Sequence, residues 1–261
     1  MTSSVEQKKT RLFIVLCGIF ITNALVAEMI GVKIFSAEAT LGINPLQLNV
    51  FGYAMDLNLT AGAVIWPVVF ITSDLINEYF GRPGVKRISY LTAILIAYAF
   101  FVVFIAMDLP PSQVWLDTYS KDKAGNYFNM DYAFNVIFGQ GQRIIIGSLT
   151  AFLLGQLVDA FFFQKLKKLT GNKMLWLRST GSTLISQAID SFVVLYIAFG
   201  GIFDGDFLFS LAITNYLYKF VVAIMLTPVI YFGHFVIDQF LGREHATQIS
   251  TEATNDSGRF F

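Results

Sequence analysis

Residues 72–87 read Thr-Ser-Asp-Leu-Ile-Asn-Glu-Tyr-Phe-Gly-Arg-Pro-Gly-Val-Lys-Arg. They close a long apolar segment with Asp74, Asn77 and Glu78, then turn on Gly81, Pro83 and Gly84 into Arg82, Lys86 and Arg87. Positions i, i+3 and i+4 share a helix face, so Asp74, Asn77 and Glu78 form one polar patch on a helix otherwise suited to lipid. Such a patch must face protein or water, and ionisable groups inside a membrane segment are functional candidates. The plainer expectation for Glu78 is an i, i+4 tie to Arg82 that closes the helix end.

The rest of the chain fits a membrane setting. Of 261 residues, 55% are hydrophobic and only 14% charged, and the mean hydropathy is +0.62. Soluble domains carry roughly a quarter charged residues. The single Cys17 excludes an intramolecular disulfide and any zinc site built on cysteine spacing. His234 and His245 are the only histidines and sit at or beyond the last apolar segment, so neither a Ser-His pair nor a histidine-rich metal site is available at mid-membrane. The patch at Asp74, Asn77 and Glu78 has the oxygens to hold Mg²⁺ beside a phosphate, but no second acidic motif or phosphate loop completes such a site. No metal and no cofactor is therefore expected. The basic residues are scattered in short loops, which excludes a nucleic-acid surface.

Apolar runs predict six spans, at residues 12–35, 59–80, 88–107, 132–163, 179–203 and 207–235. Residues 36–58 read as a loop, Pro67 and Pro228 as kinks in the second and sixth spans, and residues 88–107 as a lipid-facing wall. The fourth run exceeds the roughly 20 residues a span needs, which places its first part at the interface or in a pocket. Residues 164–178 read as a basic loop, Asp159 as a helix end before it, and the polar tail from Asp238 as loose. Three segments follow: a tail at 1–11, a transmembrane unit at 12–237 and a second tail at 238–261.

Loop charge sets the orientation. Loops on the side of the N-terminus hold Lys8, Lys9, Arg11, Arg82, Lys86, Arg87, the basic loop, Arg243 and Arg259. Opposite loops hold only Lys121 and Lys123 against Glu38, Asp56, Asp108, Asp117, Asp122, Asp131, Asp204 and Asp206. The positive-inside rule then puts both termini in the cytoplasm. The expected fold class is an all-α polytopic membrane protein, a single bundle of six transmembrane helices.

Depth decides which polar residues are costly. Asp190 lies about 16 Å into the fifth span and Lys219 about as deep in the sixth, near the midplane, which suggests an ion pair. Ser179, Ser182, Thr183, Ser186, Gln187 and Asp190 fall on one helix face. Ser182 and Thr183 suit plain helix packing, whereas Gln187 and Asp190 need polar partners. Asn215 and Lys219 form a matching face, and Asn23 reaches a similar depth on the first span. Arg143 and Glu28 fall nearer the outer boundary, where the arginine either snorkels or turns its planar fork inward to a carbonyl or carboxylate.

Several of these elements resemble a known family. Asn-Ala-Leu-Val-Ala with Gly31, Lys33 and Ile34, then Gly62, Ala63, Pro67 and Asp-Leu-Ile-Asn-Glu-Tyr-Phe-Gly belong to the pattern. So do Arg143 with Ser148, Trp176-Leu-Arg178, Ser186-Gln-Ala-Ile-Asp190-Ser, and Lys219 with Thr227-Pro228. Together, over residues 12–231, they resemble the queuosine-precursor transporters, also called vitamin-uptake-like transporters. The resemblance implies an inner-membrane protein of six helices, similar to the substrate-binding subunits of energy-coupling-factor transporters, that imports 7-deazaguanines and is not an enzyme. The expected partners are this small molecule and the lipid bilayer, with a homo-oligomer compatible. A guanine-like edge presents adjacent N–H donors that a carboxylate accepts as a pair, which suits Asp190 or Asp74, with Gln187, Asn77 and Asn215 fixing orientation. Arg143 and Glu28 would form an outer mouth. The alternatives are a binding subunit that needs a separate ATP-driven module, and an intramembrane metal-dependent enzyme acting on a lipid phosphate through Asp74 and Glu78.

Overall fold

The computed structural model describes residues 3–139, 141–171 and 173–255. Arg259, one of the tail arginines counted above, lies outside them. The architecture is helical, with α1 Ser3–Ile30, α2 Ala37–Leu41, α3 Trp66–Asp108, α4 Gln113–Thr118, α5 Met130–Phe138, α6 Gln142–Thr170, α7 Leu175–Phe199, α8 Gly205–Leu241 and α9 Arg243–Asn255. Five stretches are long and apolar enough to cross a membrane: Ser4–Ile30, Trp66–Asp108, Met130–Thr170, Leu175–Phe199 and Gly205–Leu241.

The quoted stretch governs α3. Its 43 residues would make a rod of about 65 Å, twice the roughly 30 Å of bilayer hydrocarbon. Gly81 interrupts the helix with φ 65° and ψ −173°, a conformation essentially reserved for glycine. The helix axis changes direction there. A Cβ placed on Gly84 would lie 3.3 Å from Ile76 Cγ2, although eight residues of straight helix span about 12 Å. The break also carries Arg82 off the face of Glu78, so the expected tie between them does not form. The Arg82 guanidinium instead lies 5.1 Å from the centre of the Phe161 ring.

Both arms of α3 pack on α1. Leu16, Phe20 and Ala24 meet Val69, Ile76 and Tyr79 of the first arm and Ile88, Ile96 and Phe100 of the second, with Phe152 of α6 beside them. In the second arm, Ile88, Thr92, Ile96 and Phe100 are buried while Tyr90, Leu91, Ile94, Tyr98 and Phe101 face out, the helical period of one protein face and one lipid face.

Residues 36–58 are not an open loop. Ile34–Ser36 (β1) pairs antiparallel with Asn58–Thr60 (β4), and Leu48–Val50 (β2) with Tyr53–Met55 (β3). The second pair turns on Phe51 and Gly52, both at positive φ, as a two-residue hairpin turn requires. Pairing of β1 ends α1 at Ile30 rather than Phe35. Buried Glu38 ties the segment together, accepting from the Leu57 amide at 2.6 Å and the Ser36 hydroxyl at 3.0 Å. The Leu57 amide in particular holds the Glu38 carboxyl below its ordinary pKa.

Pro67 behaves differently from expectation: it sits in the first turn of α3, where its missing N–H costs nothing and no kink arises. Pro228 lies inside α8, which continues on both sides of it. The polar tail is not loose either: Ala246, Ile249, Ser250 and Ala253 of α9 are buried.

Candidate functional site

Polar side chains line the inner faces of α3, α6, α7 and α8 in a ladder along the bundle. Its most enclosed layer lies where α9 packs. Glu78 forms a two-pronged pair with Arg178, at 3.1 Å to Nε and 3.0 Å to Nη2, and a second ion pair with Lys167 at 3.2 Å. The three side chains are between 2% and 4% exposed. Ser250 of α9 donates to Glu78 at 2.8 Å and its carbonyl accepts from Lys167 at 3.0 Å. Beside them the Tyr79 hydroxyl donates to Asp238 at 2.7 Å and meets His234 Nδ1 at 3.1 Å.

This layer was largely illegible because α6 runs to Thr170, so residues 164–170 are helix rather than loop. Lys167 and Gln164 turn inward. Gln156, Asp159, Gln164 and Lys167 follow 3, 8, 11 spacing, one helix face, and that periodicity was the signal available. Asn77 is fully engaged here: its carbonyl and its Oδ1 both accept from Gln164, at 2.7 and 2.9 Å, and its amide donates to Ala160.

One turn along, Asp159 is not a helix end but a buried acid about 16 Å before the end of α6. It accepts from Ser182 at 2.9 Å and, more weakly, from Thr183 and Ser186 at 3.4 Å each. Asp74 accepts from Ser179. Thus the hydroxyl face of α7 serves two carboxyls. Ser73 donates to Gln156 at 2.6 Å, closing this layer between α3 and α6.

The next layer contains the expected pair of Asp190 and Lys219. Their side chains are 22% and 20% exposed, several times more open than the Glu78 layer. Gly155 of α6 leaves room there, since a Cβ on it would lie 3.8 Å from Asp190 Cβ. Gln187 and Ser191 flank Asp190 on α7 with Gln187 Oε1 and Ser191 Oγ buried and unpartnered. A buried polar atom left without a partner costs about 1–3 kcal/mol, so each of these atoms has hydrogen-bonding capacity to offer. Asn215 lies one turn from Lys219 on α8, half-buried.

At the far end Glu28 of α1 accepts from Ser148 of α6. Exposed Arg143 donates to the Gly200 carbonyl at 2.7 Å, capping the end of α7. Asn23 bonds the Ile19 carbonyl of its own helix at 2.8 Å. Of the ten candidates, Asp190, Lys219, Gln187, Asn215 and Glu28 therefore gather in the half of the ladder away from α9, with Arg143 at the end of α7, while Asn23 lies deeper than Glu28 on α1. Asp74, Asn77 and Glu78 belong to the other half. Two surface hollows, lined by Glu6, Gln7, Thr10 and Arg11 and by the 106–115 segment with Asp131 and Phe134, lie at helix ends away from these groups.

Comparison with known proteins adds three relatives. A protein of Bacillus subtilis (strain 168) named "Probable queuosine precursor transporter" is 29% identical over 177 residues, 67% of this chain and 71% of the relative. One of the same name from Haemophilus influenzae is 26% identical over 189 residues, 69% of this chain and 71% of the relative. The "Queuosine precursor transporter" of Escherichia coli (strain K12) is 26% identical over 186 residues, 69% and 72% of the two chains. No solved structure matches the chain. The family model described as "Putative vitamin uptake transporter" matches residues 60–233, which hold the break at Gly81 and both halves of the ladder except Glu28, Asn23, His234, Asp238 and α9. This multi-pass membrane chain therefore belongs to the vitamin uptake transporter family, whose members are transporters and not enzymes.

Proposed function

We propose that this protein takes up 7-deazaguanine precursors of queuosine across the inner membrane. The observation that carries the substrate class is the likeness to three relatives that bear the name of that substrate. The polar half-ladder supplies a chemically suitable site. Asp190 accepts the paired N–H donors of the guanine-like edge, sharing them with or exchanging them for Lys219. Gln187 Oε1 gains the donor it lacks, Lys219 and Asn215 meet the ring carbonyl, and Glu28 balances the cation of an aminomethyl substituent. Arg143 and Glu28 form the mouth, with Asn23 deeper on the first span.

The break at Gly81 supports reading α3 as two antiparallel spans, which brings the total to six within residues 12–237, a bundle similar to energy-coupling-factor binding subunits. Loop charge favours both termini in the cytoplasm. In that orientation α9 and the Glu78 layer close the cytoplasmic side, and the site at Asp190 opens outward.

Thermal unfolding of the detergent-purified protein with queuine, with its cyano- and aminomethyl-deazaguanine precursors, and with adenine as control tests this. Ligand that binds the native state raises the midpoint by mass action. A rise with deazaguanines alone, lost in Asp190→Asn, is expected. No response to any of them well above micromolar concentration would reject the substrate class.

A further inference from the structure

Charge within the α9 half of the ladder does not balance. Among the described residues, Glu78 takes both Lys167 and Arg178, a triad of net charge +1. Asp74 and Asp159 have no cation at all; hydroxyls of Ser179, Ser182, Thr183 and Ser186 are their donors. The two acids face each other across α3 and α6. Ser73 bonds Gln156 and Asn77 bonds Ala160, so the residues on either side of Asp74 are clamped to those on either side of Asp159, and Ser179 and Ser182 of one α7 face serve the two carboxyls. Asp74 is 1% exposed, and its Oδ1 meets no donor group of the protein. Two adjacent carboxylates cannot both remain ionised in such surroundings. One proton between them makes the pair −1 and the five-residue cluster neutral.

We propose that Asp74 and Asp159 form a proton-binding site, and that release and return of its one shared proton drive substrate uptake. The proton sits between Asp74 Oδ1 and the Asp159 carboxyl; its release needs water to reach the pair, which takes the proton and solvates the two carboxylates left behind. The other titratable groups facing the cluster do not replace it. Glu78, on α3 one turn from Asp74, is held by Lys167 of α6 and Arg178 of α7. On α8, half-buried Asp238 takes the Tyr79 hydroxyl with His234 at its side, and Lys219 is taken by Asp190. From α9 the cluster receives only the uncharged Ser250. A Glu78 layer sealed by α9 and a more open Asp190 layer leave this pair between the two ends of the ladder, where a coupling ion is useful.

The coupling rests on the transport reading above; the site itself does not, and two measurements separate them. Infrared spectra of the purified protein in a Glu28→Gln background, which removes another buried carboxyl, should show the carbonyl stretch of a protonated carboxyl at neutral pH. Asp74→Asn or Asp159→Asn should each abolish it, because one remaining carboxylate balances the triad without a proton. A spectrum lacking that band, or a band that survives either substitution, overturns the site whether or not the protein transports anything. In proteoliposomes, an inward gradient of one pH unit should sustain up to about tenfold accumulation of a deazaguanine for one proton per substrate. Asp159→Asn should lose that accumulation yet keep counterflow exchange, which moves no net proton. Accumulation in the wild type that ignores the gradient overturns the coupling. Absence of counterflow in the wild type rejects the transport reading instead, and the infrared band still decides the site.

Discussion

Glu78 shows how far a single residue's role departs from its sequence neighbourhood. Arg82 stood four residues away, yet the partners are Lys167 and Arg178, 89 and 100 positions along the chain. Removing one member of a buried ion pair strands the rest, at a cost of about 3–5 kcal/mol. Glu78→Gln, which leaves two buried cations with no carboxylate, is therefore expected to lower the thermal midpoint sharply. An unchanged midpoint would mean that the triad is hydrated. Glu38 makes a prediction of opposite exposure to the membrane. Its folded-state pKa is depressed, chiefly by the Leu57 amide, so its stabilising contribution is complete above the ordinary glutamate range and fades as pH falls through the lower folded value. Thermal scans between neutral and strongly acid pH should show that loss in the wild type and a flatter profile in Glu38→Gln.

At the scale of elements, Gly81 and α9 act as one unit. The φ and ψ of Gly81 suit no L side chain, and a Cβ there would lie 2.6 Å from the Ala253 carbonyl oxygen. Gly81→Ala should therefore cost about 1–3 kcal/mol in backbone strain and displace α9, which limited trypsin cleavage at Arg243 would report as faster release of the C-terminal segment. Equal cleavage of variant and wild type would show that α9 sits free of the break. Ser250→Ala removes one hydroxyl bond to a buried carboxylate, worth about 1.5–3 kcal/mol. It tests the same junction by its midpoint without touching the backbone. Gly62 is the counterpart at the other end, where a Cβ would fall 2.5 Å from the Ala27 carbonyl oxygen and push the turn at Ala61–Val64 away from α1.

For the whole molecule, the six-span reading fixes which loops share a side. With Cys17 replaced by serine, a single cysteine at Asp122 should react with a membrane-impermeant maleimide in intact cells, and one at Glu252 only after permeabilisation. Labelling of both in intact cells would reject the topology. By itself the sequence determined the membrane class, the long apolar helices, the turn at Gly81 and the pairing of Asp190 with Lys219. Each of these follows from local quantities: apolar length, residues four apart, and depth along a helix of known rise. Only the tertiary structure decided that Lys167 and Arg178 serve Glu78, that Asp159 faces Asp74, and that the polar tail folds into a helix over both. Those contacts depend on the rotation of each helix about its axis and on packing between distant segments. In a bundle whose outside is lipid, a charged residue near a helix end reads alike whether it turns to water or inward, until the facing helix supplies its partner.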